Sequence, residues 1–418
     1  MEALPRLRYV DAFPVDVDGQ RTIYLRDPEG IAKEGIGVPP YVFNLMTLLD
    51  GIHTADDLRS AVETSNGNGS ISIEDIDTLV ASLDDALLLD SPRYRTHKQE
   101  IEDTYREETR RPSALAGSSY PDSPDALRLL IDSFFTDQTG PNGTPRSSGR
   151  LTGLVAPHID FGRGGPCFAW AYNELKDSEP ADVYIVLGTG HSARKPFTTS
   201  RKVFETPLGD LPADIAFIDR LAAHSSQDLF ADELAHKNEH SIEFQAVFLK
   251  YLFPEAEITF VPILCGSFFA SVDRKQSPMT DPAVTDFVVA LRKTIEEEDR
   301  SVCLIAGVDF SHVGQRFGDE VPLDDDFVER VRSSDQDLID AAARGHAEAF
   351  FDVIIRDCDQ HRVCGTSSIY TMLKVLDDQK GQLLKYDQAI DHESQSLVSF
   401  ASMAFHEAED RSQRTEDR

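Results

Sequence analysis

The sequence predicts an α/β fold over residues 151–406, a mostly parallel central sheet with helices on both faces, preceded by a small winged-helix-like α+β domain. Three observations predict it. A chain of 418 residues exceeds one ordinary core, so two domains are expected. From Leu151 onward short apolar runs alternate with helical patterns, the mark of a largely parallel sheet. Before residue 100 a short strand is followed by three short amphipathic helices.

The elements follow in order. Residues 1–100 are read as the winged-helix-like module. Arg21–Arg26 reads as a strand and Asp27-Pro28-Glu29-Gly30 as a turn. A helix fits Tyr41–Leu49, ended by Asp50-Gly51. Thr54 caps a second helix and Ser72 a third, whose Ile76, Leu79, Val80, Leu83 and Leu87 follow helical spacing. Residues 101–150 read as a charged helix and linker, with a helix at Ala126–Phe135 and a loop from Thr136 to Arg150. Strands then read from LTGLVAP, VYIVLG, ITFVPIL and VCLIAGV. Helices are expected near Pro166–Leu175, Ala213–His224, Ser241–Leu252 and Asp281–Glu297. LLKYDQA and SLVSFASMAF read as two closing strands, with an antiparallel end to the sheet. Residues 407–418 are expected to be a disordered acidic tail.

Composition narrows the function. There are 41 basic and 73 acidic residues, a formal charge of -32, which repels phosphate backbones and anionic headgroups. The third helix carries Glu74, Asp75, Asp77, Asp84 and Asp85 and no basic residue, so protein or peptide contact, or packing on the main domain, is expected ahead of DNA binding. Neither nucleic acid nor membrane is an expected partner. No basic-then-apolar leader and no membrane-spanning run is seen, so the expected address is the cytoplasm. The five cysteines are an odd, irregularly spaced set, each expected to be a thiol. Cys167, Cys265, Cys303 and Cys358 read as buried and inert.

Open α/β sheets place ligands at the carboxyl ends of their strands. Three strands here end in a histidine: LTGLVAP in His158, VYIVLG in His191, and VCLIAGV in Asp309-Phe310-Ser311-His312. Imidazole is a common ligand for iron, copper and zinc, and three at equivalent positions point to a metal pocket. Cys364 precedes a helix read at Ile369–Val375, where a thiolate of lowered pKa binds metal or attacks an electrophile. Glu239, His240 and Glu243 are candidates to orient ligand imidazoles from behind, as is Asp160 after His158. Ser241 alternatively just starts a helix. Gly162-Arg163-Gly164-Gly165 matches no phosphate loop, and no HExxH, P-loop or GxSxG occurs.

In this order, APHIDFGRGG, VLGTGHS, HKNEHSIEFQ, DFSHVGQRF and VCGTSS resemble the MEMO family, called in bacteria AmmeMemoRadiSam system protein B. The resemblance covers about Leu151 to Phe405. That family's fold is similar to the class III extradiol dioxygenases, the LigB-like non-haem iron enzymes. Carried over, it implies His158, His191 and Cys364 as ligands of one iron or copper ion per chain, with His312 and Asp309 as catalytic neighbours. The dioxygenases use a carboxylate where Cys364 stands, a softer donor. IYLRDPEG, LLDG and DALLLDS also resemble the PqqD-like peptide chaperones found beside radical-SAM systems. The two resemblances imply an AMMECR1-type protein and a radical-SAM enzyme as partners, and a peptide ligand.

Three functions fit these readings. The first is a mononuclear metal redox protein. The second is a non-catalytic metal- or peptide-binding protein on a dioxygenase-derived fold. The third is a hydrolase with Cys364 as nucleophile and His312 or His191 as base.

Overall fold

The computed structural model describes residues 3–17, 19–32, 35–65, 71–176 and 178–407. The chain divides into two compact units, Met1–Glu108 and Thr109–Arg418. All of the expected acidic tail but Glu407 lies outside the described residues.

In the first unit β1 (Asp11–Val17), β2 (Gln20–Arg26) and β3 (Ile36–Val38) form an antiparallel sheet in that order. The turn after β2 closes as Gly30 N–H donates to the Asp27 carbonyl, 3.2 Å. Four helices follow: α1 (Pro40–Met46), α2 (Ala55–Ser65), α3 (Ile73–Asp85) and α4 (Pro92–Glu107). Thr54 and Asp57 satisfy each other's backbone N–H ahead of α2, and Ser72 and Asp75 do the same at α3. Ile76 and Leu83 of α3 bury with Leu25, Met46 and Leu58. Strands β1 and β3 are additions to the reading, which placed only the strand at Arg21–Arg26.

The second unit runs β4 (Arg110–Arg111), α5 (Pro124–Thr136), β5 (Leu151–Ala156), α6 (Phe161–Asn173), β6 (Val183–Thr189), β7 (Phe197–Thr199), β8 (Val203–Thr206) and β9 (Gly209–Leu211). It continues with α7 (Ile215–His224), α8 (His240–Leu252), β10 (Thr259–Cys265), α9 (Phe269–Arg274), α10 (Pro282–Glu296), β11 (Val302–Gly307) and β12 (His312–Gly314). Then come α11 (Asp325–Ala343), α12 (Ala347–Arg356), α13 (Thr366–Leu376), β13 (Gly381–Asp391) and β14 (Ser396–His406). The span 101–150, read as charged helix and linker, is thus shared out. Its first part ends α4, while β4 and α5 are built into the second unit.

Eight strands form the central sheet, in the order β12-β14-β5-β11-β6-β10-β7, with β13 on the other side of β14. Strands β5, β11, β6 and β10 are mutually parallel. Strand β14 runs antiparallel to β5, β12 and β13, and β7 antiparallel to β10. All residues of β6 and β11 are buried, which is why these runs are apolar throughout. Helix α8 seats on Gly188 and Gly307. A Cβ on Gly307 would stand 2.6 Å from the Ser241 carbonyl oxygen, so only glycine lets α8 this close. Gly153 faces Leu376 of α13 and pairs with Leu304, three residues from Gly307, so α13 covers the opposite face.

Helix α6 corrects one reading. It starts at Phe161, not near Pro166, with the Asp160 side chain accepting from Arg163 N–H at 3.1 Å. The glycine-rich stretch is its first turns, and a Cβ on Gly165 would meet the Phe134 ring of α5 at 2.4 Å. Close packing against α5 accounts for Gly165, and the approach of Ile159 for Gly164. Among the described residues no helix is long and apolar enough to cross a membrane.

Candidate metal centre

Strands β5, β6 and β11 end at one edge of the sheet and deliver His158, His191 and the Asp309–His312 segment there. His158 is 2% exposed. Its Nδ1 lies 3.0 Å from the Gly307 carbonyl, so Nδ1–H donates and the lone pair sits on Nε2. Cys364 Sγ is 3.3 Å from that Nε2, which makes the thiol the donor. The Asp309 carboxylate accepts the backbone N–H of His158 at 2.9 Å and of Ile159 at 3.1 Å. Its other oxygen is 3.7 Å from His158 Nε2.

His191 follows β6. Its Nδ1 donates to the Glu239 carboxylate at 3.0 Å, and its backbone N–H donates to the same group at 3.0 Å. Glu239 also accepts the N–H of His240 at 2.9 Å and of Ser241 at 3.0 Å, capping α8. Ser241 Oγ donates to the Thr189 carbonyl at 2.9 Å, tying α8 to the end of β6. The His240 ring is 4.7 Å from that of His191 and 5.0 Å from that of His158. One donor atom from each of these three rings lies within 4.8 Å of the others. His158, His191 and His240 form a group able to hold a metal ion.

His312 opens β12, its Nδ1–H donating to the Phe310 carbonyl at 3.1 Å, which leaves the lone pair on Nε2. Three strand-end histidines are therefore each fixed through Nδ1. Cys364 is held over Asp309 because Gly365 N–H donates to the Asp309 carbonyl, 3.0 Å. A Cβ on Gly365 would stand 2.7 Å from that oxygen. Beside His191 and Cys364 opens a cavity of about 260 Å³, walled by Phe268, Phe269 and Val272 and reached by Arg362.

Burial governs the charge states. It pushes His158 well below the usual imidazole range, helped by His240 and His191. It pushes His240 down to about 4 against the pull of Glu239, and His312 down to about 4. It raises Asp309 to about 7. Burial would raise Glu239 too, but His191 and then His240 hold its carboxyl well below the usual carboxylate range. Neutral imidazole is the form that binds metal.

Several expected residues are placed differently. Cys364 was expected to have a lowered pKa at a helix N-terminus; burial first and Asp309 second push its thiol well above the usual value. His240, expected behind the ligands, contributes its own ring to the cluster. Glu243 does not orient the imidazoles. It is fully buried, pairs with Arg111, accepts the N–H of Ala114 and Leu115 at 2.9 and 3.0 Å, and accepts from Tyr120. Asp160 pairs with Arg163 and caps α6. Cys167, Cys265 and Cys303 are buried as expected, but Cys358 is exposed. It stands in a turn with φ 58°, which the reading as a core thiol missed. Arg111 was not foreseen at all. Buried, it donates to Glu243, to the His236 carbonyl at 2.9 Å and to the Glu239 carbonyl at 2.7 Å.

Fold and site together define an α/β protein with a histidine cluster at the carboxyl edge of a mostly parallel sheet. The model of the Memo-like protein family matches residues 111–404. A MEMO1 family protein of Aquifex aeolicus is 31% identical over 407 residues, 96% of this chain and all of that one. MEMO1 family proteins of Thermus thermophilus and Desulfurococcus amylolyticus are each 28% identical, over 79% and 71% of this chain and 92% and 99% of theirs. The chain belongs to the Memo-like family. The Aquifex relative spans both units, whereas the Desulfurococcus match, 307 residues long, is of the length of the second unit.

Proposed function

We propose that this chain is a mononuclear metal redox protein, with one iron or copper ion held by His158, His191 and Cys364, acting on a small molecule, peptide or dioxygen. The observation that carries it is the convergence of imidazoles fixed through Nδ1 and a thiol at one sheet edge beside a cavity. The histidines fit such an ion as a group of three, His158, His191 and His240, and Cys364 touches that group through His158 Nε2 at 3.3 Å. Metal–nitrogen bonds of about 2.0–2.1 Å put two donors of one ion at most ~4.2 Å apart, so a spread of up to 4.8 Å asks for a small closing of the rings. Imidazole with thiolate suits iron and copper. When bound, the metal would supply Lewis acidity and a change of oxidation state.

The chain's own residues supply the rest. Gly307, Glu239 and Asp309 hold the histidines in place. Cys364 loses its proton on ligation, so metal uptake releases acid. His312, with its lone pair on Nε2, accepts or returns a proton. The cavity wall of Phe268, Phe269 and Val272 takes the apolar part of a substrate. We further propose that the protein works in the cytoplasm beside an AMMECR1-type protein and a radical-SAM enzyme, with the first unit taking a peptide. Co-purification with those partners tests this, and consistent failure to associate refutes it.

Elemental analysis of anaerobically purified protein is expected to find about one iron or copper per chain. The double variant His158→Ala, Cys364→Ala is expected to bind none, and stoichiometric metal in it would overturn the ligand assignment. Oxygen uptake is expected from metal-loaded protein given catechols or peptides. A loaded sample inert to both refutes the redox half and leaves a metal-binding protein.

A further inference from the structure

Glu239 is a buried carboxylate with an unusual set of partners. Its side chain is 3% exposed. Its oxygens accept from His191 Nδ1 and from the backbone N–H groups of His191, His240 and Ser241. The Nδ1 of His240 lies 3.2 Å from Oε1. Arg111 turns to the Glu239 backbone carbonyl and pairs with Glu243. Two imidazoles, His191 and His240, face both Glu239 and the cluster.

We propose that Glu239 is a positioning residue that orients two imidazoles at once, so that His240 joins His158 and His191 as a third nitrogen donor, with Cys364 on the His158 side. This rests on the reading of the site as a metal centre and deepens it. Two facts beyond the hydrogen bonds support it. The cluster within 4.8 Å comprises these three histidines. And α8, which carries His240 at its first residue, is fixed to the sheet by the Ser241–Thr189 bond and the close seat on Gly307. The His240 backbone is therefore held at the sheet edge by the seat of the helix.

The probe is Cu(II) added to the purified full chain, read by equilibrium affinity and by the nitrogen hyperfine pattern in electron paramagnetic resonance. Wild-type protein is expected to give a three-nitrogen pattern. His240→Gln is expected to give two nitrogens. Glu239→Gln keeps an oxygen for the α8 cap but places an NH2 against an Nδ1–H. It is expected to lose about 10–100-fold in affinity and to change the pattern, while Glu239→Asp, which keeps the charge, recovers part of both. A merely structural role would lower thermal stability without altering the nitrogen count. Unchanged affinity and pattern in Glu239→Gln or His240→Gln overturns the inference. Should Glu239→Gln fail to fold, His240→Gln decides it alone. Wild-type protein that takes up no metal refutes the metal reading itself and this inference with it, whereas a two-nitrogen wild type refutes this inference only.

Discussion

Arg111→Met removes one half of a wholly buried ion pair while keeping most of the side chain's volume. The structure supplies the magnitude. Arg111 and Glu243 are both fully buried, and the guanidinium also donates to the carbonyls of His236 and Glu239. Breaking a buried pair from one side costs about 3–5 kcal/mol, because the remaining charge stays in the interior. Two orphaned carbonyls add to that, while the amides of Ala114 and Leu115 and the Tyr120 hydroxyl still serve Glu243. A net loss of about 4 kcal/mol is expected. With an unfolding entropy of about 2.1 cal/mol/K per residue over a unit of roughly 300 residues, the melting temperature falls by about 6 °C. Thermal melts of the metal-free chain measure it. The double variant Arg111→Met, Glu243→Met is expected to lose less than Arg111→Met alone, since no buried charge is then left unpaired. Arg111→Met should also weaken metal uptake, because its guanidinium holds the backbone of Glu239. A shift below about 1 °C, or strictly additive losses in the double variant, would refute the reasoning.

Gly307→Ala drives a Cβ to 2.6 Å from the Ser241 carbonyl and 2.8 Å from Gln245 Nε2. A loss of about 1–3 kcal/mol is expected, with metal affinity falling as α8 is displaced; an unperturbed variant would show that the seat is not tight. Acid titration of stability is expected to report Glu298. Arg300 first, and Arg220 with it, holds that carboxyl down to about 2 from 4.5. A depressed folded pKa means stabilisation that is complete above pH 4.5 and lost as pH falls toward 2. Glu298→Gln should flatten that limb of the melting curve, and an unchanged limb would discount the pair. Iodoacetamide on the folded chain should label exposed Cys358 first. Cys167, Cys265 and Cys303, pushed up to about 12 by burial, should react only on unfolding, as mass spectrometry of the peptides would reveal.

What could be read from the sequence divides along a physical line. Strands β5, β6, β10 and β11 are covered on both faces, so each must be apolar along its whole length, and such runs are visible one residue at a time. The three-residue strands β7 and β12 have no room for a period, and they form only because β10 and β14 offer an edge. Arg111 stands in a charged stretch, and nothing local separates it from its exposed neighbour Arg110; its partner Glu243 is 132 residues away. The site divides in the same way. His158, His191 and His312 were visible because a parallel sheet brings its strand ends to one edge whatever the loops do. His240 sits on a helix, and its approach depends on two glycines in other strands, Gly188 and Gly307, that let α8 come close. Topology thus fixes which residues reach the edge, while the partner of each Nδ1 sets the ring: the Gly307 carbonyl for His158, the Glu239 carboxylate for His191 and the Phe310 carbonyl for His312. That second step brings His240, which sits on a helix, within 4.8 Å of His158 and His191 and leaves the strand-end His312 outside the group.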